Sequence, residues 1–333
     1  MSNDKKPDEF ELIARFFAPL AVAEAGALGL GDDAAVLSPP PGRTLVVTTD
    51  GLTEGVHFPT KDDPRNVAAR LIGVNLSDLA AMGAEPWVYT LALALPEDWE
   101  PAWLTAFSQE LKDQQDHFAI HLVGGDTTRT PGPMTLSLTA LGTVEMGQEL
   151  RRGGAGPEDE FYVSGTIGDA ALGLAVLQGG IDGLGEIHSE ALLARYHRPQ
   201  PRVQLGRRLY GLATAAIDVS DGLIADLGHL AMESGLSAIL KAAQVPLSEA
   251  AQAALSLNPD LMERVLGGGD DYELLFTAPH SAATGIAAVS DDLGLALTPI
   301  GTVTDSNGEP GCVTMLGGDG QALPINKSGY RHF

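Results

Sequence analysis

Apolar residues in the first half of the chain alternate between helical spacing and dense runs rich in β-branched side chains. The helical spacing predicts helices over residues 11–21, 64–83 and 100–118. The β-rich runs predict strands over 44–50, 87–96, 119–128 and 134–144, with GGDTT at 124–128 forming a terminal loop. Strands and helices are therefore mixed within one unit of the chain.

The second half repeats a plan of strand, glycine turn and helix, over residues 161–180 and again over 215–235. Strands are predicted at 271–279 and 297–304, with a helix at 282–294 between them. Residues 151–160 concentrate Gly, Pro and charge, which is typical of a linker. The order of elements predicts a two-domain α+β protein, with an N-terminal mixed α/β domain over 1–147 and a C-terminal α+β domain over 148–333.

The composition narrows the class of protein. Hydrophobic residues make up 44% of the 333 positions, which favours a folded chain over a disordered one. The net charge of −24 argues against nucleic acid and anionic membranes as partners. The polar opening residues lack the apolar core of a signal peptide, no apolar run is long enough to span a bilayer, and Cys312 is the only cysteine, so we expect a cytoplasmic protein without disulfides.

Aspartates recur where predicted strands end or glycine turns begin. They are Asp32, Asp33, Asp50, Asp126, Asp218, Asp221, Asp270 and Asp271, and Asp78 adds one on a predicted helix. Any one of them is better explained by a turn or a helix cap. Together they favour a site for a hard cation, Mg²⁺ above all, because Mg²⁺ prefers oxygen ligands.

Glycine-rich turns complement these acids, because the two features together indicate a site for a metal ion and a polyphosphate. GGDTT, SGTIGDAALG and GGGDD allow backbone N–H groups to approach an anion, although similar loops are often plain turns. The P-loop is excluded because the chain has no Gly-Lys pair, and a Rossmann fingerprint, a nucleophile elbow and a zinc-protease helix are also missing. The two sequences TDGL (49–52) and SDGL (220–223) each stand where an apolar strand is predicted to end, which favours two related half-sites over a chance match.

Six segments carry a family resemblance. GLGDDAAVL, TTDGLTEGVHF, NLSDLAAMGAEP, LVGGDTT, AIDVSDGL and GGGDDYELLFT, in this order, resemble the thiamine-monophosphate kinases of the aminoimidazole ribonucleotide synthetase superfamily. The similarity runs from about residue 10 to the terminal GYRHF. It implies transfer of the γ-phosphoryl group of ATP to thiamine monophosphate, giving thiamine diphosphate.

The resemblance also implies an architecture and a set of site residues. We expect a homodimer that pairs N-terminal ATP/Mg-binding domains through their sheets, and an active site between the two domains of each chain that holds ATP and several Mg²⁺ ions. The implied metal ligands are Asp33, Thr48, Thr49, Asp50, Asp78, Asp126, Asp218 and Asp221. The implied ATP contacts are Gly125, Asp126, Arg152 and Ser220, and the implied thiamine contacts are His57, Asp270 and Tyr330.

The expected chemistry needs no covalent nucleophile and no obligatory general base. The acceptor is a phosphate that is already deprotonated near neutral pH, so direct in-line transfer depends on positioning and electrostatics. With six lysines in the chain, metal ions are expected to supply the positive charge. Asp33 is the expected ligand of the Asp32–Asp33 pair, and Asp32 is expected in a turn, in a helix cap or behind the metal ligands. Asp270 replaces the glutamate that is common in relatives and is one methylene shorter.

Two other functions are compatible with these motifs. Another ATP-dependent enzyme of the superfamily would share the acids and glycine loops, and a non-catalytic protein that binds divalent cations would share the acids alone. A selenophosphate synthetase would need a reactive Cys or selenocysteine near the N-terminus, and a hydrogenase-maturation relative would need a C-terminal Cys, neither of which is present.

Overall fold

A computed structural model describes residues 6–325 and 329–330, which form two compact units. The first unit comprises Met1–Leu79 and Glu85–Gly147, and the second comprises Ala80–Ala84 and Gln148–Phe333. The last residues of the GYRHF motif, 331–333, lie outside the described part. None of the helices in the described part is long and apolar enough to cross a membrane.

The first unit begins with irregular helical turns. Helix α1 (Glu9–Leu12) continues as a π-helical turn over Ile13–Phe17 and a 3₁₀ turn over Ala18–Leu20. The carboxylate of Asp8 accepts the Glu11 N–H at 2.9 Å and caps α1. The N-terminal helix predicted over 11–21 is thus helical but broken into short turns, and Pro19 lies in the last of them.

The regular elements of the first unit are two long helices and a mixed sheet. They are β1 (Arg43–Thr53), α2 (Pro64–Ala81), β2 (Glu85–Pro96), α3 (Pro101–Phe118), β3 (His121–Thr130) and β4 (Thr135–Glu145). Among the described residues the strand order is β1-β4-β2-β3, in which only the β2–β3 pair is parallel. Strands β1 and β3, which carry most of the predicted site residues of this unit, are therefore the edges of the sheet.

One face of this sheet is buried and the other is exposed. Leu136, Leu138 and Ala140 alternate as buried residues along β4, and Leu91 and Leu93 do the same along β2. Leu45 and Val47 of β1 point to the opposite face and are 42% and 58% exposed. The sheet therefore presents apolar side chains to solvent on one side of β1.

Two sequence expectations about strand ends are wrong. Residues 124–128 do not form a terminal loop, because β3 continues through them to Thr130. Asp50 does not end a strand either, since β1 continues to Thr53. Consequently TDGL lies inside β1 whereas SDGL follows the sixth strand and leads into a helix, so the two segments are not equivalent in structure.

The second unit is a larger mixed sheet with helices. Its strands are β5 (Glu160–Ser164), β6 (Ala215–Asp218), β7 (Ser237–Lys241), β8 (Leu274–Ala278), β9 (Leu297–Thr304), β10 (Val313–Leu316) and β11 (Ala322–Leu323). Its helices are α4 (Asp169–Leu177), α5 (Glu186–His197), α6 (Val203–Gly206), α7 (Leu223–Glu233), α8 (Glu249–Leu257), α9 (Met262–Gly267) and α10 (Ala283–Leu293). The order of the described strands is β11-β10-β7-β9-β5-β8-β6, with only β10–β7 parallel.

A continuous apolar core holds this second unit together. Phe161 and Val163 of β5 and Leu275 of β8 are fully buried in it, as are Leu227 and Leu230 of α7. Burying apolar side chains of this size contributes about 1.5–3 kcal/mol each. The core places β6 and the start of α7 beside the loop that precedes β8, and this region contains four of the predicted site residues of the unit: Asp218, Ser220, Asp221 and Asp270.

Candidate active site

Strand β1 and helix α2 bring together four polar side chains that we call the β1–α2 cluster: Thr48, Asp50, Asn75 and Asp78. Thr48 Oγ1 donates a short hydrogen bond to Oδ2 of Asp78, and the backbone N–H of Asp50 donates to Oδ1 of Asn75 at 3.1 Å. Thr48 and Asp50 share a face of β1 because side chains alternate along a strand, and Asn75 and Asp78 share a face of α2 because they are three residues apart. Three of the predicted metal ligands therefore lie in one place.

Electrostatics in this cluster favour a bound cation. Burial, and then the neighbouring charge of Asp78, raise the pKa of Asp50 from 3.8 to about 6. Both influences act in the same direction because two carboxylates lie close together in a partly desolvated position. A divalent cation among these oxygens would relieve the repulsion.

Thr49 is not brought into the β1–α2 cluster through its side chain. Its hydroxyl points to the opposite face of the sheet and forms a 2.7 Å hydrogen bond with Oγ1 of Thr139, its partner on β4. Strand alternation separates Thr49 from Thr48 and Asp50. The predicted role of the Thr49 side chain as a metal ligand together with Thr48 and Asp50 is therefore not supported by its position.

A cavity of about 380 Å³ lies along β3 in the first unit. Asp33, Gly125 and Asp126 line it together with apolar side chains that include Phe17 and Leu91. The Asp32 carboxylate accepts the backbone N–H of the next residue, Asp33, at 2.9 Å, within a bend of the chain. The cavity thus combines three predicted metal or nucleotide contacts with an apolar wall.

Gly125 is required by the close packing of β3 against β2. A Cβ atom at this position would lie 1.9 Å from the carbonyl oxygen of Leu91, which no side chain can do. The neighbouring Gly124 has its closest such contact at 3.8 Å. A Cβ atom can therefore be accommodated at Gly124 but not at Gly125.

His57 lies in a turn that follows β1. Its Nδ1 accepts the backbone N–H of Thr53 at 3.0 Å, so the ring proton of neutral His57 resides on Nε2. This bond orients the imidazole, and the ring is partly exposed. The turn thus fixes the orientation of His57.

In the second unit, the loop between β6 and α7 carries Asp218, Ser220 and Asp221. Asp218 is 2% exposed. Oδ2 of Asp226, in α7, accepts the backbone N–H groups of Asp221 and Gly222 at 3.2 and 3.1 Å. These two bonds hold the loop against the first turn of the helix. Ligand atoms of Asp221, Asp226 and His229 lie within 4.8 Å of one another.

Asp226 is a buried acid in an acidic environment. Burial is the main cause that raises its pKa well above 3.8, and the charges of Asp218 and Asp221 raise it further. The two backbone hydrogen bonds lower the pKa but do not compensate. Like Asp50, this group marks a concentration of carboxylates.

The loop that precedes β8 packs directly on the β6–α7 loop. The N–H of Asp270 donates to the carbonyl of Ser220, and the N–H of Tyr272 donates to the carbonyl of Val219, both at 2.9 Å. A Cβ at Gly269 would lie 2.4 Å from the oxygen of Ser220. The predicted ATP contact Ser220 and the predicted thiamine contact Asp270 are therefore joined by backbone hydrogen bonds.

Arg152 and Tyr330 complete the predicted residues of the second unit. Arg152 is exposed and follows Arg151, whose carbonyl accepts the N–H of Ala216 in β6 at 2.8 Å. The N–H of Tyr330 donates to the carbonyl of Asp221 at 2.9 Å, and its side chain is 45% exposed. The residues predicted from the second unit therefore belong to segments that adjoin β6 or the loop after it.

Comparisons with known proteins identify the family. Two family models match: AIR synthase related protein, N-terminal domain, over residues 31–144, and AIR synthase related protein, C-terminal domain, over residues 156–311. Thiamine-monophosphate kinase of Escherichia coli strain K12 is 42% identical over 327 residues, covering 98% of each protein. The chain belongs to the thiamine-monophosphate kinase family.

Solved structures agree with this assignment. A crystal structure of thiamine-monophosphate kinase from Stenotrophomonas maltophilia K279a is 44% identical, with a TM-score of 0.80 over 88% of this chain and 91% of the other. A structure of AaThiL complexed with AMPPCP and TMP is 31% identical, with a TM-score of 0.77 over 94% and 98%. The family, the two-domain α+β fold and the kinase class expected from the motifs are confirmed.

Three residues of this thiamine-monophosphate kinase family member were missed by the sequence reasoning: Asn75, Asp226 and Tyr272. Asn75 and Asp226 hold backbone groups of predicted metal ligands, and Tyr272 bonds Asp270. A signal existed for Asn75, which is three residues before Asp78 in NLSD and therefore on the same helical face. Asp226 and Tyr272 gave no such signal, because their partners are set by loop conformations.

Proposed function

We propose that the protein transfers the γ-phosphoryl group of ATP to the phosphate of thiamine monophosphate, giving ADP and thiamine diphosphate, the last step of thiamine diphosphate synthesis. The observation that carries the proposal is the 42% identity to a thiamine-monophosphate kinase over 98% of the chain. The AaThiL structure that contains AMPPCP and TMP supports the same two ligands here. Because ATP is the donor, we assign the reaction to the cytoplasm.

The oxygen-rich clusters fit Mg²⁺ as the resident metal. The β1–α2 cluster offers Thr48, Asp50 and Asp78, and the β6–α7 loop offers Asp218 and Asp221. Asp33 and Asp126 offer further carboxylates at the cavity along β3. When bound, Mg²⁺ supplies the positive charge that allows two anionic phosphates to approach each other.

The chain itself binds and positions the nucleotide. Gly125, Asp126, Arg152 and Ser220 are the proposed ATP contacts, Arg152 being the one that brings a permanent positive charge. The acceptor phosphate is deprotonated near neutral pH, so no side chain has to remove a proton or become phosphorylated. We therefore propose direct in-line transfer.

Three residues are proposed to bind the thiamine moiety: His57, Asp270 and Tyr330. The thiazolium ring is a permanent cation, which a carboxylate attracts and an aromatic face accommodates. Tyr330 is held by its backbone bond to Asp221, and the residue is 45% exposed. Specificity for a cationic substrate would follow from this combination.

The exposed face of β1 supports a homodimer. Leu45 and Val47 are apolar, 42% and 58% exposed, and lie on the face of the sheet opposite Thr48 and Asp50. A second copy of the same sheet would cover them. Val47→Lys is expected to yield monomers in light-scattering measurements, whereas Val36→Lys, at a residue that is 70% exposed and outside the sheet, is expected to leave the mass unchanged.

The decisive experiment is an assay of the purified protein with ATP, Mg²⁺ and thiamine monophosphate, in which thiamine diphosphate is measured by chromatography. Asp50→Asn and Asp221→Asn are expected to lower kcat by at least about 100-fold with little change in melting temperature. Asp291→Asn, at an exposed acid of α10, serves as the control.

Different outcomes would contradict different parts of the proposal. ATP binding without product would overturn thiamine monophosphate as the substrate and favour another ATP-dependent reaction of the superfamily. Full activity in both Asn variants would remove the metal assignment. Retention of configuration at a chiral γ-phosphate would contradict direct in-line transfer.

A further inference from the structure

In the loop Asp270–Glu273, two side chains anchor the loop to the rest of the unit. The other two, Asp270 and Tyr272, contact each other. Tyr272 Oη donates a 3.2 Å hydrogen bond to Oδ1 of Asp270. Asp271 and Glu273, which alternate with them, are 2% and 0% exposed. Asp271 and Glu273 are therefore the anchoring pair, and Asp270 and Tyr272 form the tyrosine–carboxylate contact.

The anchoring side of the loop is held by hydrogen bonds to both buried carboxyl groups, and those from Arg195 and Arg202 to Glu273 are charge-assisted. Both carboxylate oxygens of Asp271 lie 2.9 Å from the backbone N–H of Gly168, just before α4. Glu273 accepts bonds from Arg195 at 2.7 Å and from Arg202 Nε at 2.6 Å, and Ser164 donates a third at 2.6 Å. Bonds of this kind are about twice as strong as neutral ones, so the loop has little freedom.

The loop keeps two residues in backbone conformations that side chains disfavour. Asp270 has φ of 67° and Tyr272 has φ of 51°, both in the left-handed region. Each such residue costs about 1–2 kcal/mol. The anchors and the two backbone bonds to Val219 and Ser220 maintain this conformation, which directs Asp270 and Tyr272 toward each other.

We propose that Tyr272 is a positioning residue for substrate binding, which acts by holding the carboxylate of Asp270 in the orientation that attracts the thiazolium cation of thiamine monophosphate. This inference rests on the proposed function. The phenol donates a hydrogen bond, so it stabilises the ionised carboxylate and restricts its rotation. Asp270 is one methylene shorter than the glutamate common at this position, so its carboxylate has less reach toward the substrate. The orientation that Tyr272 gives to this carboxylate is therefore especially important.

The chain contains a matched control for this contact. Tyr162 donates a 2.8 Å hydrogen bond to Oε2 of Glu160, which also lies two residues before it, in β5 of the same unit. Tyr162→Phe removes the same group from the same kind of pair at a place with no proposed role. Tyr272→Phe and Tyr162→Phe are thus chemically equivalent changes.

The test is steady-state kinetics of the full chain with ATP, Mg²⁺ and thiamine monophosphate. Tyr272→Phe is expected to raise KM for thiamine monophosphate about tenfold, with kcat and KM for ATP changed less than about threefold, since one charge-assisted hydrogen bond is lost. Tyr162→Phe is expected to match the unmodified protein. Calorimetric titration with thiamine monophosphate in the presence of AMPPCP should show the same tenfold loss of affinity.

A double-mutant cycle with Asp270→Asn separates positioning from a general structural effect. If Tyr272 acts through the Asp270 carboxylate, Tyr272→Phe will add less than about twofold to KM in the Asp270→Asn background. An equal effect in both backgrounds, or no effect of Tyr272→Phe in an active protein, would overturn the inference alone. Absence of thiamine diphosphate with the unmodified protein would overturn the proposed function and this inference with it.

Discussion

The backbone N–H of Asp50 donates a 3.1 Å hydrogen bond to Oδ1 of Asn75, which ties the edge strand β1 to helix α2. Asn75 is fully buried and also donates from Nδ2 to the carbonyl of Leu71 at 2.9 Å. Both the oxygen and the nitrogen of its side-chain amide are therefore held by hydrogen bonds. One buried amide thus sets the position of Asp50 relative to Asp78.

Removing this amide should affect both stability and metal use. Asn75→Ala is expected to lower the free energy of unfolding by about 1–3 kcal/mol, because the part-buried N–H of Asp50 loses its partner and the buried Asn75 side chain is removed. The Mg²⁺ concentration for half-maximal activity should rise as well, since Asp50 is no longer held. The control is Asn66→Ala, at a residue of the same helix whose side chain lies 3.5 Å from Asp62. It should change neither the free energy of unfolding, measured by denaturant titration, nor the Mg²⁺ concentration for half-maximal activity, measured by the kinase assay.

The raised pKa of Asp50 predicts how metal use depends on pH. With a pKa of about 6, Asp50 is protonated in the metal-free protein at lower pH, and a proton and Mg²⁺ compete for the same oxygens. At limiting Mg²⁺, activity should therefore fall as the pH decreases through about 6. A flat profile between pH 5 and pH 7 under these conditions would contradict the prediction.

The same shift predicts a change in stability without metal. The pKa of Asp50 is higher in the folded protein than its ordinary value of 3.8, so its favourable contribution is present below pH 3.8 and is lost as the pH rises to about 6. Asp50→Asn should then raise the free energy of unfolding of the metal-free protein at pH 7, by about 1 kcal/mol after allowing for partial exposure. At pH 4 the variant and the unmodified protein should unfold alike in urea.

The neighbouring acids Asp32 and Asp33 should respond differently to neutralisation. Asp32 accepts the Asp33 N–H at 2.9 Å, and asparagine retains an oxygen that can do the same. Both acids line the cavity along β3, and Asp33 is the proposed ligand because the Asp32 carboxylate is already engaged by this backbone N–H. Asp33→Asn should reduce Mg²⁺-dependent kcat at least about tenfold more than Asp32→Asn, and equal losses in the two variants would refute the distinction.

The adjacent glycines of β3 provide a test of packing. Gly125→Ala would place Cβ 1.9 Å from the Leu91 oxygen and must separate β3 from β2, so we expect a loss of more than about 2 kcal/mol in unfolding free energy. Gly124→Ala has 3.8 Å of room and should stay within about 1 kcal/mol of the unmodified protein. Similar melting temperatures for the two variants would contradict this reading of the strand pair.

Much of the fold could be predicted because local patterns reflect local structure. The β-branched run at 44–50 and the alternating run at 134–144 became β1 and β4, and the long apolar periodicity at 64–83 became α2. The predictions failed where a glycine pair suggested a turn. In β3 the close approach to Leu91 is what requires Gly125, and this contact joins residues far apart in sequence.

By itself the sequence determined the family, the order of most helices and strands, and a chemistry of carboxylates and glycine loops. Only the tertiary structure decided that Thr48 and Asp50 face Asp78 while Thr49 faces Thr139, and that Asn75, Asp226 and Tyr272 support the proposed site residues. The physical reason is that spacing along the chain defines the period of an element. Which face meets which neighbour, and which loop residue accepts a given N–H, depend on packing between segments that the period does not specify.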